Sequence, residues 1–343
     1  MNVFSLLIRG WYRLNHRNLP WRVTHNPYEI WLSEVVLQQT RVDQGLSYYL
    51  KLVNKYPTVF DLAAVEEQEL LKDWQGLGYY SRARNLHAAA KQIVADFDGK
   101  FPGNYKEILK LKGVGEYTAA AISSFAFNEV QAVVDGNVYR VLSRYFNDPT
   151  PIDSSEGKKT FRAYANELID KNEPAEHNQA IMELGALVCK PANPDCISCP
   201  LQETCLSFRE GNQTNLPVKA KKVKVTKRFF HYLVYSGDSV QLEKREEGIW
   251  RNMFQFPVVE VDKVLDSHLV SDAVQEEYSV GVVRKVMEKK HLLSHQHIYA
   301  TFWETDNPVK SQAILNVHLD NLEEYPLPKL IALFFKEQPE FFE

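Results

Sequence analysis

The sequence predicts a mainly helical N-terminal half, residues 1–208, joined through a basic linker, 209–228, to a smaller α+β part, 229–343. Three observations carry this. Apolar residues recur at three- and four-residue spacing through the first half. Seven Lys or Arg stand against one acid between Arg209 and Arg228, a tether composition. Beyond it the apolar runs shorten and read as strands. A chain of 343 residues suits about two domains.

In the first half the spacing predicts helices over 28–42 (YEIWLSEVVLQQTRV), 65–75 (VEEQELLKDWQ), 82–97 (RARNLHAAAKQIVADF) and 158–171 (KKTFRAYANELIDK). Asn26-Pro27, Tyr56-Pro57, Phe101-Pro102-Gly103 and Asp148-Pro149 punctuate them. After the linker, KRFFHYLVYSGDSVQLEKR shows two apolar runs around Ser-Gly-Asp-Ser, a hairpin signal, and HQHIYATFWE suggests a further strand. The final segment suggests one helix and an acidic, aromatic tail.

Composition narrows the function classes. With 45% apolar and 24% charged residues, disorder as the main state is excluded. A net charge of −4 excludes a uniform polycation but leaves room for a local basic face. No stretch reaches the ~18 apolar residues of a membrane span, and the start shows no cleavable signal, so the expectation is a cytoplasmic protein.

Four motifs can carry chemistry. All cysteines fall in one C-x6-C-x2-C-x5-C cluster, Cys189, Cys196, Cys199 and Cys205. Clustered thiols suit one soft metal centre, an iron–sulfur cluster or a zinc ion, with a structural role because no flavin or nicotinamide fingerprint accompanies them. Gly113-Val114-Gly115 precedes a small-residue helix, and its amides can form an anion site for a phosphodiester. Asp135 stands where an apolar run meets a helix. It reads as an N-cap, and a carboxylate there stays ionised. Glu34 shares a helical face with Ile30, Leu37 and Arg41. A carboxyl between Ile30 and Leu37 is partly desolvated and holds its proton near neutrality, whereas an exposed one would pair with Arg41. One carboxyl kept protonated and another kept ionised is the arrangement that cleaves a glycosidic bond.

LPWR, WLSEVVLQQT, WQGLGYYSRARNL, LKGVGEYTAAA, VVDGNVYRVL, NQAIMELGALVC and the cysteine cluster occur in one order that resembles adenine DNA glycosylases of the helix-hairpin-helix superfamily. The resemblance spans nearly the whole chain, strongly to about residue 208 and more loosely in a Nudix-like C-terminal part. It implies a six-helix barrel module, a cluster module and an α+β Nudix-like domain that reads 8-oxoguanine. The implied activity is monofunctional hydrolysis of the N-glycosidic bond of adenine mispaired with 8-oxoguanine or guanine in duplex DNA. The implied setting is a monomer in the bacterial cytoplasm, associated with the nucleoid, with one structural [4Fe–4S] cluster on the four cysteines.

The resemblance also implies roles by position. Glu34 is the general acid and base, Asp135 stabilises the sugar cation, and Tyr117 and Asn137 support them. Trp21, Arg22, Leu37 and Gln179 line the adenine pocket. Gln39 and Thr40 approach the lesion, Leu77 and Tyr79 probe the base stack, and Ser294 and His295 read the lesion. Leu293 stands where the family's loop carries Phe. Related endonuclease III enzymes place a Schiff-base lysine where this chain has Tyr117, and a phenol cannot form that imine. The Nudix hydrolase box is absent, so pyrophosphohydrolase activity is not expected. The backbone-binding cleft is expected near Lys112, Arg82, Arg84 and the linker. The competing readings are a pyrimidine-lesion glycosylase/lyase, disfavoured by Tyr117, and a non-catalytic lesion binder, which would lack the two carboxylates.

Overall fold

The computed structural model describes residues 2–220, 225–237 and 239–342. The linker residues Lys221, Lys222, Val223 and Lys224 lie outside these. The chain divides into two compact units: residues 1–64 with 85–222, and residues 65–84 with 223–343. The second unit thus takes in a segment from the middle of the helical half.

The helices run α1 (Val3–Asn15), α2 (Pro27–Leu37), α3 (Val42–Lys55), α4 (Val59–Ala64), α5 (Glu67–Asp73), α6 (Ser81–Phe97), α7 (Tyr105–Ile108), α8 (Glu116–Phe127), α9 (Gly136–Tyr145), α10 (Ser155–Leu168), α11 (Pro174–Leu187) and α12 (Leu206–Glu210). Polar side chains start them where the sequence supplies one: Asn2, Asn26, Asn104, Asp135 and Ser154 each accept an N–H of the first turn. In the first unit Phe4 and Ile8 of α1 meet Val141 and Leu142 of α9, Phe161 of α10, and Ile181 and Leu184 of α11 in one core. α2 is buried all round, from Ile30 through Val36, as a helix inside a bundle must be.

The helix predicted over 28–42 is two. α2 stops at Leu37, Gln39 takes a positive φ of 57°, and α3 begins at Val42 with Arg41 as its N-cap. Arg41 therefore does not share a helical face with Glu34. The apolar spacing survives across the break, so periodicity alone could not show it.

The second unit holds two sheets. β1 (Thr226–Val234), β4 (Val258–Val261), β5 (Val282–Leu292) and β6 (Gln296–Thr305) form one in the order β4-β1-β6-β5; β2 (Ser239–Lys244), β3 (Phe254–Gln255) and β7 (Ile314–His318) form the other in the order β3-β2-β7. β1 runs parallel to β6, with Phe229 opposite Tyr299. The predicted β1–β2 hairpin is therefore not formed: the two strands belong to different sheets. Parallel pairing to β6 and antiparallel pairing to β4 occupy both edges of β1 and leave none for β2. α13 (Ser267–Tyr278) covers one face through Val270 and Val274 against Leu233 and Trp303. α14 (Lys329–Glu337) covers the other, with Phe334 stacked on Phe302 at 4.8 Å between centroids. Among the described residues no helix is long and apolar enough to cross a membrane.

Candidate active site

Three helices of the first unit bring the chemistry together. Glu34 sits in the middle of buried α2 and is only 7% exposed. α8 packs beside it and carries Tyr117 in its first turn, whose hydroxyl donates to Glu34 Oε2 at 2.7 Å. Burial pushes the Glu34 carboxyl up to about 7; the Tyr117 hydrogen bond opposes this, the Asp135 charge adds to it, and Arg22 pulls the other way. A carboxyl in this state holds a proton at neutral pH in a large share of molecules.

Asp135 is the N-cap of α9. Its Oδ1 accepts the Val138 N–H at 2.7 Å and its Oδ2 accepts Asn137 Nδ2 at 2.7 Å. Burial raises its carboxyl above the usual value, while these N–H donors and Arg140 oppose the shift. The amides at the helix start favour the charged form, as expected, but burial works against them. Both oxygens nevertheless accept, which is the geometry of an ionised carboxylate. Two carboxyls thus differ by surroundings: one meets a hydroxyl and apolar side chains, the other amide donors and a helix N-terminus.

Asn137 is itself held. Arg140 Nη2 donates to Asn137 Oδ1 at 2.8 Å, and the same side chain donates to the carbonyls of Gly185 and Cys189 at 2.8 and 2.6 Å. Gly185 is obligatory, because a Cβ there would sit 2.6 Å from that of Asn137. At the other end of α9, Arg144 donates to Cys189 Sγ at 3.3 Å and to the carbonyls of Lys190, Pro191 and Leu216. One helix therefore runs from the carboxylate to the cysteine loop. Neither arginine was singled out in the sequence, where both read as ordinary members of an amphipathic helix.

Cys189, Cys196, Cys199 and Cys205 line one small cavity of about 30 Å³. Burial pushes the Cys199 thiol up to about 12, with the neighbouring sulfurs adding to the shift. Among the described residues no three acidic, His or Cys side chains converge on a point that suits a single metal ion.

A cavity of about 490 Å³ in the first unit is lined by Trp21, Arg22 and Gln179, with Tyr12, His25 and Phe125. Leu37, expected with them, is not in its lining; its side chain packs against Gly45 of α3 instead. Gln39 is exposed and Thr40 half-buried on the turn between α2 and α3. Gly113 of the Gly113-Val114-Gly115 turn has φ +75° and no room for a Cβ beside Asn85, and Gly115 caps α8. Sequence reasoning also missed Glu183. It is completely buried on α11 and accepts from both Arg17 and Arg22. A lone acid inside the apolar run IMELGALVC was its signal.

In the second unit the 76–81 loop and the β5–β6 turn share a cavity of about 550 Å³, whose walls include Tyr79, Arg84, Trp250, Ser294 and His295. The Tyr79 hydroxyl donates to Ser294 Oγ at 3.3 Å, although 215 positions separate the two residues. Tyr79 is exposed at a positive φ of 50°, while Leu77 is buried. Arg82, expected at a DNA-facing surface, is also buried, with its guanidinium over the Trp74 and Tyr79 rings and bonded to the Gly78 carbonyl.

Residues 32–169 match the family described as HhH-GPD superfamily base excision DNA repair protein, and residues 230–337 match the NUDIX domain. The adenine DNA glycosylase of Buchnera aphidicola subsp. Baizongia pistaciae is 36% identical over 306 residues, covering 87% of this chain and 84% of that one. The chain belongs to the adenine DNA glycosylase family. The chain also resembles more distant members of the superfamily. A solved thermostable thymine-DNA glycosylase is 31% identical with a TM-score of 0.57, over 61% of this chain and 96% of the other. An endonuclease III–DNA complex is 27% identical with a TM-score of 0.53, over 61% and 94%. The chain is a base-excision-repair glycosylase by this membership, and its helical fold with a Nudix-like C-terminal domain agrees with the resemblance read from sequence.

Proposed function

We propose that this glycosylase binds duplex DNA as a monomer in the cytoplasm and hydrolyses the N-glycosidic bond of adenine opposite 8-oxoguanine or guanine. It leaves an abasic site without cutting the strand. The observation that carries this is the paired carboxyls: Glu34 raised to about 7 and bonded to Tyr117, Asp135 accepting from Val138 and Asn137. Names of relatives supply the base, and the DNA complex of a related enzyme supports the duplex.

Glu34 gives its proton to N7 of the flipped adenine, and the C1′–N9 bond breaks with its electron pair leaving on the base. Asp135 faces the oxocarbenium-like sugar with Asn137 fixing its orientation. Glu34, now ionised, takes a proton from water as the oxygen bonds to C1′. Base and abasic sugar balance the step. Tyr117 contributes a phenol where a lyase needs an amine, which supports the monofunctional reading. Trp21, Arg22 and Gln179 contact the base from the cavity they share, whose lining does not include Glu34, Tyr117 or Asp135.

The second unit reads the opposite base. Ser294 and His295 lie 3.3 Å apart, Oγ to Nδ1, beside the Tyr79 hydroxyl. Tyr79 is exposed for stacking against an opened base step. Gln39 and Thr40, on the α2–α3 turn of the first unit, are assigned to the lesion by the resemblance, and the Gly113-Val114-Gly115 amides hold a phosphate. Cys189, Cys196, Cys199 and Cys205 around one cavity are the residues that would hold the [4Fe–4S] cluster the resemblance implies. Such a cluster would pin the loop after α11, and through Arg144 the end of α9. The test is strand scission of a duplex carrying adenine opposite 8-oxoguanine. Scission only after hot alkali, on the adenine strand, is expected. Scission without alkali, or of thymine glycol instead, would overturn the reading.

A further inference from the structure

Glu183 is a heavily bonded carboxylate of the first unit. It accepts the Arg17 backbone N–H at 2.9 Å, Arg17 Nε and Nη2 at 2.9 and 2.6 Å, and Arg22 Nη1 and Nη2 at 2.9 and 2.6 Å. Its side chain is wholly enclosed. A buried carboxylate costs several kcal/mol of hydration unless such forks surround it. Here they drive its pKa down to about 2, against burial. The group stays charged throughout the physiological range.

The clamp has a direction. Gln179 and Glu183 are one turn apart on α11, so both face the same side. Gln179 and Arg22 line the base cavity, and Glu183 stands behind Arg22. Arg22 Nη1 is further tied to the Arg17 carbonyl at 2.9 Å, and its plane lies 5.6 Å from the Tyr12 ring. Its Nε is buried and has no hydrogen-bond partner in the described structure. The guanidinium is thus held on one edge and left unmatched on the other.

Arg22 also acts on the catalytic acid. The groups whose charge or hydrogen bonding bears on Glu34 are Tyr117 from α8, Asp135 at the start of α9, and Arg22 from the turn before α2. Arg22 is the cation among them. The positive charge of Arg22 lowers the Glu34 carboxyl, so a less compensated Arg22 would favour the ionised form.

We propose that Glu183 is a positioning residue of the glycosylase site: it fixes the Arg22 guanidinium on the wall of the base cavity and compensates its charge, so that this cation does not hold Glu34 ionised. Arg17 serves as the second fork that satisfies Glu183. Glu183 touches neither base nor sugar and acts through Arg22. The inference rests on the functional reading above.

The test measures single-turnover adenine excision against pH for the full chain, for Glu183→Gln, for Arg22→Gln and for the double variant. Loss of the Glu183 charge leaves the Arg22 cation uncompensated, which favours ionised Glu34. The alkaline fall of the wild-type rate should therefore move toward acid in Glu183→Gln, by about one pH unit or more. Once Arg22 is replaced, adding Glu183→Gln should move the limb no further, as residues acting through one another are non-additive. Should Glu183→Gln fail to fold by circular dichroism, Glu183→Asp, which keeps the charge, should fold and keep the wild-type limb. An unmoved limb in folded Glu183→Gln, a further shift in the double variant, or a shifted limb in Glu183→Asp would overturn the proposal. Failure of the wild type itself to release adenine would instead overturn the functional reading.

Discussion

The two sites differ in what makes them. The carboxyl site of the first unit is assembled from helix interiors and caps. Glu34 is mid-helix, Asp135 is an N-cap, and Tyr117 is in a first turn, so regular backbone fixes each side chain. The cavity of the second unit is assembled from turns: Tyr79 at a positive φ, Trp250 at a positive φ of 59°, and Ser294 exposed between β5 and β6. Rigid elements suit proton transfer, which tolerates little misplacement. Turns suit recognition of a partner base, where contacts tune preference. The difference predicts that damage to the first site abolishes chemistry on every substrate, and damage to the second changes which opposite base is preferred.

The sharpest break is Glu34→Gln, which removes the proton donor while keeping the shape. Excision should fall about 10³-fold or more with either 8-oxoguanine or guanine opposite, in single-turnover assays. Asp135→Asn should follow, with a loss of about 10² to 10³-fold and DNA binding retained, as measured by fluorescence anisotropy. Either variant showing loss with one opposite base alone would contradict the division. Tyr117→Phe removes a bond that lowers the Glu34 pKa, so the alkaline limb should move to higher pH. The rate itself should drop about tenfold at most, the scale of one hydrogen bond. Ser294→Ala should have the smallest effect. It should leave excision opposite guanine unchanged and cut the advantage of 8-oxoguanine roughly fivefold, about 1 kcal/mol. Equal losses with both bases would place Ser294 in the common machinery instead.

The same contrast explains what the sequence made legible. Read singly, Glu34 suits an exposed acid paired with Arg41 as well as a desolvated one, and Asp135 is a common N-cap; they gain meaning as a pair, one carboxyl protonated and one ionised, and through the family resemblance. The break at Gln39 was hidden, because apolar spacing continues from α2 into α3 while the backbone turns. The β1–β2 hairpin was misread for a related reason: Ser-Gly-Asp-Ser marks a turn, but edge occupancy in the sheet decides which strands pair. Arg140, Arg144 and Glu183 act through long-range bonds to carbonyls, a thiol and two guanidiniums, which no local spacing encodes. Tyr79 and Ser294 met only through the fold.

The central claim is that Glu34 enters the reaction protonated while Asp135 enters ionised. The most direct measurement is the single-turnover rate of the wild-type chain on adenine opposite 8-oxoguanine, from pH 5 to 9. A group whose pKa is raised to about 7 loses its proton across this range, so the rate should fall as pH rises through about 7, and this limb should vanish in Glu34→Gln. A wild-type rate that stays level above neutrality, or a limb that survives in Glu34→Gln, would contradict the assignment of Glu34 as the acid.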